Sequence, residues 1–169
     1  MTGTAKIRQL TTADAAAFRE LRLRALKDHA DAFTSSYEEE VSKPLAATEE
    51  RLGAGDNTFW GAFVDGELQG MVGLAREPRI KNRHKGDVVA MYVAPESSRR
   101  GLARALLQAV IDHARNVLGL EQLVLSVTLS NDAARELYRV AGFKTFGVEP
   151  RAIKVAGTYF DKERMILFL

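Results

Sequence analysis

The sequence predicts an α/β fold in which strands and helices follow one another in the order β-α-α-β-β-β-α-β-α-β-β. Three stretches carry that prediction. Residues 88–109, VVAMYVAPESSRRGLARALLQA, run from an apolar strand through a basic, glycine-containing turn into a helix. Residues 122–142 repeat the order: QLVLSVT reads as a buried strand, and NDAARELYRVA as a short helix ending at Gly142. Between residues 59 and 75, two β-rich runs flank Asp65-Gly66, the best turn dipeptide in the chain.

In chain order, Lys6 to Leu10 is a short strand, and Ala13 to Asp28 a helix with Ala17, Phe18, Leu21 and Ala25 on one apolar stripe. A second helix spans about Ala46 to Leu52, and Phe59 to Val64 and Glu67 to Ala75 are the hairpin strands. The fourth strand carries Met91, Tyr92 and Val93 and is ended by Pro95. Leu102, Leu106, Ala109, Val110, His113 and Val117 then recur at helical spacing, which predicts a helix from about Gly101 to Leu118. Gln122 to Thr128 is the buried strand. Asn131 to Ala141 is the following helix, with Asn131 suited to the N-cap and Gly142 to the position just past its end. Phe143 to Val155 and Lys162 to Phe168 close the fold as antiparallel strands. No repeat or linker divides the chain, so residues 1–169 read as a single domain.

Composition narrows the class. With 46% hydrophobic and 27% charged residues over 169, the chain suits one soluble globular domain with a sizeable core. Zero cysteines exclude a disulfide framework, a thiolate metal site and a cysteine nucleophile, and suit the reducing cytoplasm. The start, MTGTAKIRQL, lacks an apolar signal core, and no apolar run approaches the roughly 20 residues of a membrane span. A net charge of +2 weighs against a dedicated nucleic-acid binder, although the sequence pI is about 9.0. His29, His84 and His113 are spread without ligand spacing, so no metal site is expected. Ser97 and Ser98 lack the G-x-S-x-G turn that exposes a nucleophile.

The join at Pro95 to Arg104 is the chemically loaded segment. A helix start presents unpaired backbone N–H groups, here flanked by Arg99, Arg100 and Arg104, and Gly101 lets backbone approach a ligand closely. That combination fits a phosphate. One glycine is too few for a dinucleotide fingerprint, and no Gly-Lys-Ser/Thr follows, so two nucleotide classes drop away. Downstream, Asn131, Ala134, Tyr138, Gly142 and Phe143 fill the pattern N-x-x-A-x-x-x-Y-x-x-x-G-F.

Together these motifs make the chain resemble the GNAT superfamily of acetyl-coenzyme A dependent N-acetyltransferases, most strongly over residues 88–146. The resemblance implies a mixed central sheet splayed near its fourth and fifth strands, with the pantetheine arm pairing along the fourth as an added strand would. It assigns coenzyme contacts to Met91, Tyr92 and Val93, to Ser98, Arg99, Arg100, Gly101, Leu102, Ala103 and Arg104, and to Asn131, Ala134 and Tyr138. One departure stands out: the family's pyrophosphate loop usually opens on Gln or Arg, and that position is Ser98 here. A side-chain phosphate contact is thereby removed, while the backbone amides of the cradle remain.

The implied chemistry is attack of a neutral primary amine on the thioester carbonyl through a tetrahedral intermediate, with release of the thiolate. By resemblance, the Met91 N–H faces the thioester oxygen and Tyr138 protonates the leaving sulfur. The base stays open among Asp87, Glu39, Glu40, His84 and a water chain. The stretch FTSSYEEE, residues 33–40, lies where this family often lines the acceptor side, so Phe33, Tyr37 and Glu40 are the acceptor-binding candidates. Its three carboxylates suit a small-molecule or peptide amine with positive charge nearby. The basic run Arg76 to Lys85 is a solvated connection or a contact for the coenzyme 3′-phosphate. Two other classes compete: a noncatalytic acyl-coenzyme A sensor of the same fold, motivated by Ser98, and a basic-patch interaction protein. A homodimer is common for such domains, and the apolar end MILFL suits burial by a partner or by the core.

Overall fold

The computed structural model describes residues 3–169. Seven strands form one sheet: β1 (Ala5–Gln9), β2 (Asn57–Val64), β3 (Glu67–Arg76), β4 (Lys85–Val93), β5 (Gln122–Thr128), β6 (Lys144–Val155) and β7 (Thr158–Phe168). Their spatial order is β1-β2-β3-β4-β5-β7-β6, antiparallel throughout except for the parallel β4–β5 pair. Five helices cover it: α1 (Ala15–Asp28), α2 (Tyr37–Val41), α3 (Leu45–Gly53), α4 (Leu102–Asn116) and α5 (Asp132–Val140). This is the mixed α/β sheet expected, with one helix more.

That additional helix is α2, inside the acidic stretch read as a loop. Ser36 Oγ accepts the Glu39 N–H at 3.2 Å, and Glu39 Oε2 accepts the Ser36 N–H at 3.0 Å. The pattern S-Y-E-E is therefore a capping box, and carboxylates in a first turn are favoured by the helix dipole. The signal was present in the sequence.

Other boundaries moved for local reasons. Residues Thr12–Asp14 form a 3₁₀ turn, so α1 begins at Ala15 rather than Ala13. Ala156 and Gly157, with φ of 47° and 82°, close a two-residue hairpin that starts β7 at Thr158, ahead of Lys162. β4 starts at Lys85, before the apolar run, and pairs with β5 from that residue.

Alternation along the strands divides the core in two. On one face Leu106, Leu107, Val110 and Ile111 of α4 pack on Val72, Leu74, Leu123 and Leu125. On the other, Phe18, Leu21 and Ala25 of α1 pack on Phe59, Met71 and Tyr92. The MILFL end lies in β7, an interior strand, with Met165 buried in the first core and Phe168 exposed. Among the described residues no helix is long and apolar enough to cross a membrane.

Candidate functional site

The parallel ladder between β4 and β5 is short. It joins Lys85 to Gln122, Gly86 to Leu123 and Asp87 to Val124, and then stops. From Val88 and Leu125 onward the two strands part, and a cleft of about 510 Å³ opens between them. Ser126 is exposed in mid-strand because β4 has moved away from it.

A β-bulge shapes the β4 wall. Gly73 pairs with Val89 and Met71 with Tyr92, so Ala90 and Met91 together face the single Val72. Ala90 takes a φ of 56°, a left-handed conformation that costs an alanine about 1–2 kcal/mol. The bulge resets the alternation. Met91 and Val93 turn toward the α4 side, while Val89, Ala90 and Tyr92 lie against the α1 side. Strain of this kind persists only where the surrounding packing holds it, and here it turns Met91 out of step with Ala90.

Helix α5 delivers Tyr138 to the same cleft. Asn131 Oδ1 accepts the Ala134 N–H at 3.2 Å, which caps the helix and fixes its start beside the end of β5. Just under two turns after that cap, Tyr138 is 6% exposed, and its ring meets Phe143 edge-on at 5.9 Å. Burial pushes the phenol well above its ordinary value of 10.0, so it holds its proton across the physiological range. Asp87, where the ladder stops, is also pushed up by burial, partly offset by the Arg164 cation.

The turn after β4 is built to leave N–H groups free. Ser98 is extended, Arg99 has a φ of 62° and Gly101 a φ of 74°. Ala105 N–H is bonded to the Gly101 carbonyl at 3.0 Å, whereas those of Leu102, Ala103 and Arg104 lie in the first helical turn with no preceding carbonyl to meet. The buried Leu102 anchors the helix start, and the side chains of Arg99, Arg100 and Arg104 stay exposed around it. Arg24 holds the turn from α1 by a bidentate pair to Glu96 at 2.6 and 2.7 Å, and Ser97 Oγ donates to Gln69 Oε1 at 3.1 Å. Such a concave run of N–H groups fits a pyrophosphate through backbone alone, with no call on the Ser98 side chain.

The structure gathers Phe33, Asp87, Met91, Asn131, Ala134 and Tyr138 around one cleft. It leaves others outside. Residues Ser98 to Arg104 stand beyond the C-terminal end of β4, a separate region from the cleft lining. Tyr92 faces the second core with its ring 5.8 Å from that of His29, and its hydroxyl is enclosed without a partner. Tyr37 and Glu40 do not line the cleft; Glu40 is bonded to Lys43 at 2.8 Å and lies 3.5 Å from Arg22 Nε. Glu39 is engaged in the cap of α2, and the His84 carbonyl accepts the Glu121 N–H at 2.7 Å. His113 packs edge-on against Trp60 at 5.1 Å.

Sequence reasoning missed the basic lining of the cleft: Arg22, Arg51, Lys162 and Arg164. Lys162 Nζ donates to Thr128 Oγ1 at 3.0 Å, and Thr128 Oγ1 donates to the Asp31 carbonyl at 2.6 Å. Burial lowers the Lys162 pKa. The signals were subtle. Arg22 adjoins Leu21 on the apolar stripe of α1, and Lys162 and Arg164 sit at the two-residue spacing that puts both on one sheet face.

Comparison with known proteins agrees with this fold. Residues 22–143 match the acetyltransferase (GNAT) family. The chain is 34% identical over 114 residues to N-alpha-acetyltransferase RimI of Mycobacterium tuberculosis, spanning 68% of this chain and 69% of that one. A GNAT-family acetyltransferase structure from Streptococcus pneumoniae superposes with a TM-score of 0.87 at 25% identity, covering 98% of this chain and 100% of the other. The yncA acetyltransferase of Salmonella typhimurium, solved with acetyl-CoA, gives a TM-score of 0.81 at 26% identity, covering 98% and 94%.

Proposed function

The chain belongs to the acetyltransferase (GNAT) family, and on that footing we propose that it moves the acetyl group of acetyl-CoA to a primary amine by direct attack. The observation that carries the proposal is the parting of β4 and β5 after Asp87, which opens a cleft between a bulged strand edge and a buried phenol, with the turn of free N–H groups beyond the end of β4.

Acetyl-CoA supplies the acetyl group as an activated thioester. The N–H groups from Arg99 to Arg104 would hold its pyrophosphate, and the free edge of β4 would pair with the pantetheine arm. Met91 N–H, aimed by the bulge, would donate to the carbonyl oxygen as negative charge gathers there. The amine nitrogen bonds the carbonyl carbon, the carbon–sulfur bond breaks, and the sulfur keeps the electron pair. Tyr138 then gives its proton to that sulfur. A phenol with a raised pKa stays in its acid form at physiological pH, which disqualifies it as the base. Asp87, the carboxylate of the cleft lining, would take the amine proton, directly or through water. The cysteine-free chain suits a reducing compartment, and we place the reaction in the cytoplasm.

Calorimetric titration of acetyl-CoA, followed by thiol release against a panel of amines, tests this reading. Binding with amine-dependent release is expected. Tight binding with no release for any amine would favour the sensor, and absence of binding would refute the coenzyme site.

A further inference from the structure

The charge of the cleft is opposite to what the acidic stretch suggested. Four cations, Arg22, Arg51, Lys162 and Arg164, line it against the single carboxylate of Asp87. The carboxylates of α2 offset it only in part, through Glu40 at 3.5 Å from Arg22 Nε. Glu39 is occupied by the Ser36 cap, and Glu40 is drawn to Lys43.

Two of the cations form a corner. Arg22 is 7% exposed, and its Nε is enclosed with no hydrogen-bond partner, because Glu40 stands off at 3.5 Å. Arg22 also reaches Ser35 Oγ from a terminal nitrogen at 3.3 Å, so the guanidinium is fixed while part of its donor set is unused. Arg51 lies with its guanidinium 5.0 Å from the centre of the Phe59 ring, and among the described residues no carboxylate comes within 4.0 Å of it. Burial and the neighbouring Arg22 both press its pKa down. Two guanidinium groups, partly desolvated and sharing one distracted carboxylate, are a costly arrangement for a folded chain to keep without an anion. A planar fork of N–H donors matches a carboxylate.

We infer that the Arg22–Arg51 corner binds a carboxylate of the acceptor, so that the amine acetylated in this cleft belongs to a molecule carrying that anion and not to a polyamine. The inference rests on the proposed transfer reaction. With the carboxylate held at the corner, the amine of the same molecule lies within the cleft shared by Asp87 and Met91. Lys162 and Arg164 strengthen the field that draws such an acceptor in and repels a polycation.

The test compares kcat/KM for free amino acids, the matching amino-acid carboxamides, a peptide amide with glutamate at its second position, and a polyamine. A carboxylate-bearing amine is expected to exceed its uncharged counterpart by at least about tenfold, with R51Q bringing the ratio close to one and R51K retaining part of it. Preference for the free amino acid or for the acidic peptide tells which molecule supplies the anion. Equal rates for carboxylates and carboxamides, a polyamine that leads the panel, or an unchanged ratio in R51Q overturns the inference. If no amine reacts, the proposed reaction fails on its own account, and the corner is read by melting temperature against rising concentrations of an N-acetyl amino acid. A rise in the wild type that R51Q loses upholds the carboxylate site, and no rise in either refutes it.

Discussion

Replacing Tyr138 by phenylalanine separates the proton donor from the packing residue. The ring is buried and meets Phe143 edge-on at 5.9 Å, and phenylalanine keeps each of those carbon contacts. Loss of the hydroxyl alone changes folding stability by no more than about 1 kcal/mol. The rate is a different matter. A positioned acid contributes about 10²–10⁴-fold, which corresponds to about 3–5 kcal/mol of barrier. Stopped or continuous thiol-release assays at saturating acetyl-CoA and amine are therefore expected to show kcat lowered by two orders of magnitude or more in Y138F, with the melting temperature and the calorimetric Kd for acetyl-CoA nearly unchanged. Burial raises the phenol pKa, so the wild-type rate has no alkaline loss from Tyr138 below its ordinary value of 10.0. A Y138F enzyme within about threefold of wild-type kcat would refute the donor role, because no property of the ring changes with the substitution.

Gly101 has a φ of 74° and open space around its missing side chain, so G101V meets backbone strain rather than a clash. It is expected to cost about 1–2 kcal/mol, lower the melting temperature by about 2–4 °C per kcal/mol, and weaken acetyl-CoA binding by about tenfold in calorimetry. Arg8 donates to both carboxylate oxygens of Asp14 at 2.8 and 2.9 Å and holds its pKa down from 3.8 to about 2. That stability is present above 3.8 and vanishes as pH falls through about 2, so wild type and D14N should melt apart at neutral pH and together in strong acid. Leu106 is fully buried, and its Cδ1 would lie 3.1 Å from a Cβ built on Gly70. L106A is expected to cost about 2–5 kcal/mol by chemical denaturation while leaving the acceptor preference unchanged.

What the sequence made legible was local. The strand-turn-helix over residues 88–109 and the Asn131-to-Phe143 pattern each lie within about 20 residues, and their caps, turns and periodicity are written in consecutive positions. The bounds of β5 follow from one β-rich run, QLVLSVT, set off from its flanks. The bulge at Ala90 was not legible, since alanine has no preference for a positive φ and its conformation follows from the register against β3. Nor was the sign of charge in the cleft. Arg22 and Arg51 come from α1 and α3, Lys162 and Arg164 from β7 more than a hundred residues later, and only the closed sheet brings them together. The acidic run misled because carboxylates in sequence were read as carboxylates facing a ligand, whereas Ser36 and Lys43 had prior local claims on them.

A parallel pair that stops after three residues would continue to zip unless something held it apart. Two features do so here. The bulge diverts β4 from the straight path just where the ladder ends. On the other side, β5 is held to β7 over seven pairs, from Gln122 with Phe168 to Thr128 with Lys162. At the last of these, Thr128 and Lys162 bond to each other and to the carbonyls of Asp31 and Ala32, which ties the strand end to the roof of the cleft. β5 therefore owes its position to β7 and the roof, and β4 owes its position to β3. The backbone groups left between them are the ones a ligand can satisfy, and the unpaired stretch is a binding edge rather than a defect of the sheet.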